Sequence, residues 1–147
     1  MLATESPLPV TMPIPPIPAT LLYIPLFALL ILNLSMLVIR ERLRHKVVFG
    51  EGGEEARRLR RAIRAQANAV EYVPISLLVL MGCELAGMST LILHLWGGGL
   101  LIARISHAIG ISRTEGTNHF RAAGALFQFS YLLVLPLWLL ARLGGIA

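Results

Sequence analysis

Hydrophobic and polar positions along the chain sort into four long apolar runs separated by polar breaks. From Ala19 to Ile39 there are 21 residues without a charge, enough at a rise of about 1.5 Å per residue to cross a hydrocarbon layer of roughly 30 Å. A second run begins at Tyr72-Val-Pro-Ile-Ser-Leu-Leu-Val-Leu-Met-Gly-Cys83, a third spans Thr90 to Ile109, and a fourth runs from about His119 to Leu143. The breaks are a basic segment from Arg40 to Arg64 with Gly50-Glu-Gly-Gly53 at its turn, a short Ala86-Gly-Met-Ser89 turn, and residues 110–118. The pattern predicts an all-α membrane protein, a four-transmembrane-helix bundle with helices at about 19–40, 55–85, 90–109 and 119–143. Pro25, Pro74 and Pro136 fall inside these spans, so kinks are expected, with a break in the ladder just past Tyr72. Gly97-Gly-Gly99 lowers helix propensity and permits close approach.

Residues 1–18 contain six prolines and no Lys or Arg. A secretory signal needs a basic segment ahead of its apolar core, so this stretch reads as an extended, poorly ordered, proline-rich tail. One domain, 19–147, follows.

Composition agrees with the membrane reading: 56% hydrophobic, 14% charged, and a mean hydropathy of +0.72. A single cysteine, Cys83, excludes an internal disulfide and any multi-cysteine metal site, and no metal is expected. The net charge of +5 is unevenly spread, with nine of thirteen Lys and Arg between Arg40 and Arg64. Four spans put twelve of the thirteen cations on or near one side. The positive-inside rule makes that side cytoplasmic and leaves both termini outside. The Arg57-Arg58-Leu-Arg60-Arg61 run is then a membrane-flanking segment facing anionic headgroups, and no nucleic-acid partner is expected. The loop glycines lack the strand and the Gly-Lys-Ser/Thr of a phosphate loop.

The chemistry concentrates where basic segment meets apolar run. On a helix, Arg64, Asn68 and Glu71 fall in one narrow stripe, which Arg57 and Arg61 extend towards water. Ionised groups this close to hydrocarbon face protein or a polar cavity. Two readings stay open: an Arg64–Glu71 structural pair with Asn68 joining helices, or a polar ligand site. Asn33 and Arg40 share a face and could look towards the same stripe. Helix three carries Arg104 and His107, and helix four carries Arg121, Gly124 and Gln128 on one face. Glu84 lies on a different face of helix two and reads as an interfacial acid with no assigned task. The convergent set, Arg40 or Arg42 with Arg64, Asn68, Glu71, Arg104, His107 and Arg121, keeps an excess of positive charge and calls for an anionic partner, a lipid headgroup or a soluble anion. Glutathione fits, with two carboxylates for arginines and an α-ammonium for Glu71.

The string R-x-x-x-N-x-x-E-Y-x-P from Arg64 to Pro74 resembles the signature of the MAPEG superfamily, the membrane-associated proteins of eicosanoid and glutathione metabolism, in a bacterial-type member. Weaker similarity extends to Arg42-Leu-Arg44-His-Lys-Val-Val-Phe-Gly50 and to Arg104-Ile-Ser-His107. The resemblance implies a homotrimer of four-helix subunits, here in a bacterial inner membrane, with glutathione as co-substrate bound between subunits on the cytoplasmic side. It makes Arg64, Asn68, Glu71, Arg104, His107 and Arg42 glutathione-binding residues. Arg121 becomes the arginine that stabilises the thiolate, within a one-residue alignment uncertainty. Two positions depart from the pattern: Ile111 stands where some members carry a tyrosine, and Ala122 where prostaglandin-E synthase has a serine. Two functions follow. One is a glutathione transferase or peroxidase acting on lipophilic electrophiles; the other is a membrane protein that holds lipid headgroup or glutathione without turnover.

Overall fold

The computed structural model describes residues 18–113, 116 and 118–145. Four helices cross the described chain: α1 Ala19–His45, α2 Arg57–Leu85, entered through a 3-10 turn at Glu54–Ala56, α3 Thr90–Arg113 and α4 His119–Leu143. Each is long and apolar enough to cross a membrane, and no strand occurs among the described residues. The all-α, four-span architecture is therefore as the apolar runs predict. The expected tail falls on residues outside the described ones, apart from Pro18.

Two helices outlast their apolar runs. α1 continues past Arg40 to His45, because Glu41-Arg-Leu-Arg-His45 contains no helix breaker and suits a helix C-terminus. Glu41 faces Arg44 at 3.9 Å and His45 at 3.7 Å, at i,i+3 and i,i+4 spacing, and basic side chains in the last turn complement the helix dipole. Lys46 in the left-handed region (φ 53°) ends the helix, with the Val47 N–H donating to Arg42 O at 3.0 Å. α3 likewise reaches Arg113. Charge marks where a span leaves hydrocarbon, not where its helix stops.

None of the prolines breaks a helix. α2 runs unbroken through Pro74, and two residues further on Ser76 ties it to α4. The Ser76 hydroxyl donates to Tyr72 O at 2.8 Å, the Tyr131 hydroxyl donates to Ser76 O at 3.0 Å, and Gln128 Nε2 donates to Ser76 Oγ at 2.9 Å. A small polar cluster thereby sits inside an apolar bundle, with Tyr72 O served from its own helix, Ser76 O from α4, and Gln128 Oε1 buried without a hydrogen bond.

α2 and α3 form the central pair, and each packs against both outer helices. On α2 the buried positions Leu59, Ala62, Ala65, Ala69, Val73, Ser76 and Leu80 recur at helical spacing. Its alanines let backbones approach where side-chain burial offers little driving force in lipid. Glycines do the same on α3 and α4. A Cβ on Gly97 would stand 2.4 Å from the Tyr23 ring, one on Gly99 2.5 Å from the Phe127 ring, and one on Gly124 2.5 Å from Ala103 O. Outside, Leu22, Leu29, Leu32, Leu78, Ile102 and Leu133 are exposed; on a protein in water this would be an aggregation hazard, and in a bilayer it is the solvent-facing surface. Cys83 is fully buried, its Sγ 3.7 Å from Leu135 O.

Glu84 has a task that sequence reading did not assign. α1 starts after Pro18 with no side-chain cap of its own. The Glu84 carboxylate accepts from the backbone N–H groups of Ala19 and, at 3.0 Å, Thr20. Two of the donors that every helix N-terminus leaves unsatisfied are thus capped from another helix.

Candidate functional site: a cationic groove between α2 and α4

The stripe of α2 next to its buried face borders an open groove of about 680 Å³. α2 contributes Arg60, Arg61, Arg64, Asn68 and Glu71; α4 contributes Arg121, Ala122 and Ala125; His107 and Ile111 of α3 lie between them, and Glu51 reaches in from the loop. Six residues singled out in the sequence, Arg61, Arg64, Asn68, Glu71, His107 and Arg121, therefore meet in one cavity. They come from three helices, at the end where α2 and α4 begin and α3 ends.

Arg104 acts from behind the wall. It is 3% exposed, its Nη1 donates to Asn68 Oδ1 at 2.9 Å, and its guanidinium carbon stands 5.6 Å from the centroid of the Tyr72 ring. Because arginine only donates, Asn68 must offer it the amide oxygen, and the donor end of that amide is the one available to a ligand. His107 Nδ1 is 2.9 Å from Arg121 O. A carbonyl can only accept, so Nδ1 carries the proton and Nε2 is the free nitrogen of the neutral ring.

The first turn of α4 is pinned, and with it the origin of the Arg121 side chain. Asn118 caps the helix, its Oδ1 accepting from Arg121 N at 2.9 Å while its Nδ2 donates to Gly110 O at 2.8 Å. Gly110 leaves room for this contact, since a Cβ there would lie 2.7 Å from Arg121 N. The positive end of the α4 dipole adds to the charge of the arginines.

Four arginines and two carboxylates line the cavity. Arg64 and Glu71 are both exposed, and the contacts between acidic and basic side chains within 4 Å among the described residues are those of Glu41 with Arg44 and His45. Seven residues of α-helix separate Arg64 and Glu71 by roughly 10 Å along the axis, so the structural pair does not form. The other half of that reading does hold, because Asn68 joins α2 to α3 through Arg104.

Arg42 and Arg40 lie elsewhere. Arg42 Nη1 donates to Gly50 O at 2.9 Å and does not line the groove within this chain. Asn33 and Arg40 look into a different depression, between α1 and α3, so they do not share the Arg64 stripe's cavity. The reason is the packing: their face of α1 turns to α3, whereas the stripe on α2 turns to α4. Arg57, expected to extend the stripe, is exposed and does not line the cavity. Arg60 and Glu51 do line it and were not singled out; Glu51 lies in a loop, where no periodicity points to it.

The family model for the MAPEG family matches residues 20–141, which reach from the first turn of α1 to the last turn of α4. Two curated relatives, each described as inner membrane protein YecN and coming from Escherichia coli strain K12 and strain CFT073, are 39% identical over 89 residues. That stretch covers 60% of this chain and 66% of theirs, just under two thirds of the relatives' length. The groove carries the Arg64–Asn68–Glu71 motif on a four-span bundle, and the family match runs the length of that bundle: this membrane protein belongs to the MAPEG family.

Proposed function

We propose that the groove binds glutathione and that the protein is a glutathione transferase or peroxidase for lipophilic electrophiles that arrive through the bilayer. One observation carries the reading: an open cavity whose four arginines are opposed by only two acids, with Arg64 and Glu71 in reach of a ligand and not of each other. Arg60, Arg61 and Arg64 suit the tripeptide's two carboxylates, Glu71 its α-ammonium, and the Asn68 amide its peptide carbonyl. Arg121 is left for the sulfur. To be mostly ionised at pH 7, a thiol of pKa about 8.5 needs its pKa lowered by about two units, or roughly 2.7 kcal/mol. One guanidinium about 4 Å away supplies roughly 4 kcal/mol at an effective dielectric of 20, before desolvation takes its share. Before desolvation the guanidinium's contribution exceeds what the shift needs, so the proposal assigns the thiolate to Arg121 without a hydroxyl donor at Ile111 or Ala122.

By the same proposal the chain assembles as a trimer in a bacterial inner membrane, with the basic loop cytoplasmic and both termini outside. Arg42 then reaches a glutathione only as part of a neighbouring copy. The apolar wall formed by Ile111 and Ala122 favours a second reading, a site that holds glutathione without turnover. Conjugation of a chlorodinitrobenzene-type electrophile decides between them. Turnover above the uncatalysed rate, lost in Arg121→Ala, supports the transferase; bound glutathione with no turnover and no thiolate absorbance below about pH 8 leaves the binding protein.

A further inference from the structure

Opposite in character to the α2–α4 groove is a depression on the other side of the bundle, between α1 and α3, of about 710 Å³. Its floor is apolar, with Leu30, Leu34 and Leu37 from α1 and Ile105, Ala108 and Ile109 from α3. At one end stand Arg40, Ser112 and Arg113. Beyond them a smaller pocket of about 300 Å³ shares Leu37, Ser112 and Arg113 and adds Arg58, Arg61 and Glu41. An apolar trough thus opens into a cationic head.

The depth of the cations is set by the helices. Arg40 follows 21 uncharged residues counted from Ala19, roughly 30 Å of helix, and Arg113 is the last residue of α3. Both stand at the headgroup level of one leaflet. Arg113 keeps its guanidinium 5.7 Å from the Phe120 ring centroid, which limits its wandering. The acid in this head, Glu41, is turned to Arg44 and His45 of its own helix. Arg61 Nε is buried and has no hydrogen-bond partner. None of the head's arginines is within ion-pair distance of an acid among the described residues, although Glu41 lines the head.

We infer that the α1–α3 trough is a specific site for an anionic phospholipid, with an acyl chain along Leu30, Leu34 and Ile109 and the phosphate between Arg40 and Arg113. Charge complementarity chooses the lipid. A zwitterionic headgroup carries its own ammonium into a cluster of guanidinium groups, whereas an anionic one does not. Arg61 lines both this head and the proposed glutathione groove, but the two cations that define the lipid site do not, since neither Arg40 nor Arg113 lines the latter.

The test uses the full-length protein, freed of lipid in detergent, with phosphatidylglycerol or phosphatidylcholine of the same acyl chains added and retention read by native mass spectrometry. Phosphatidylglycerol is expected to be retained at least about tenfold better. Arg40→Gln and Arg113→Gln each lower its retention by about fivefold and together by about thirtyfold, at about 1 kcal/mol per cation near a charged headgroup. Both residues are exposed, so the variants keep the fold. Ile109→Trp narrows the trough without changing charge and lowers retention as well. Glutathione affinity stays unchanged in all three, which separates a failure here from a failure of the proposed function. Equal retention of the two lipids, or undiminished retention in the double variant, overturns the inference. So does an Ile109→Trp protein that loses its oligomeric state and keeps its lipid, because a second copy then covers the trough.

Discussion

Glu71 and Glu84 are carboxylates on the same helix, and their surroundings divide them. Glu84 is consumed by the fold: both its oxygens take backbone N–H groups at the start of α1. Glu71 is exposed in the groove and belongs to no ion pair among the described residues. The same contrast separates Arg104, buried on Asn68 and Tyr72, from Arg64, which stands open. A polar group in a membrane helix is thus a candidate for function when the bundle has not already used it. Burial and hydrogen bonding distinguish the two cases; residue type does not.

The largest effect expected from breaking this division is at Arg121, whose backbone is fixed by the fold while its side chain is left for a ligand. Arg121→Ala should lose roughly a hundredfold in conjugating activity, the rate equivalent of about 2.7 kcal/mol of thiolate stabilisation. Glutathione affinity should stay within a few fold, and the thiolate absorbance at pH 7 should vanish. A variant that keeps both signal and rate would place the sulfur elsewhere.

Next comes a position used only by the fold. Gly124→Val forces a side chain against Ala103 O and the His107 backbone, where no flexible side chain can yield. Overpacking of this kind costs about 1–3 kcal/mol, and because His107 sits on the contact, glutathione binding should weaken along with thermal stability. Unchanged stability would mean that α3 and α4 can separate freely at the groove.

Glu84→Ala should cost about 1–2 kcal/mol in unfolding assays, the usual range for a lost helix cap, and should leave glutathione affinity untouched. An effect on affinity instead would show that the two ends of α2 are coupled, and the division drawn here would fail.

How far the sequence reveals this molecule follows from the reach of its signals. Four spans are legible because an apolar run of this length has few other uses. The end of α1 is not, since Arg40 marks the membrane boundary and says nothing about the Glu41–Arg44–His45 contacts that carry the helix on. Arg64, Asn68 and Glu71 share a helix, so spacing alone places them together. His107 and Arg121 join them through tertiary packing, and only the resemblance and the charge distribution pointed there. The task of Glu84 could not be read at all, because its partners lie 64 and 65 residues away. Asn33 and Arg40 show a related limit: periodicity says which residues share a face of α1 but not which neighbour that face meets.

The central claim is that Arg64 and Glu71 are held open for glutathione, and titration calorimetry of glutathione into purified protein tests it most directly. Arg64→Ala and Glu71→Gln should each weaken binding by about 1.5–3 kcal/mol, the worth of a charge-assisted hydrogen bond, with thermal stability unchanged. Glutathione affinity equal to that of the unmodified protein, accompanied by a fall in thermal stability, would contradict the account and make the two residues part of the scaffold.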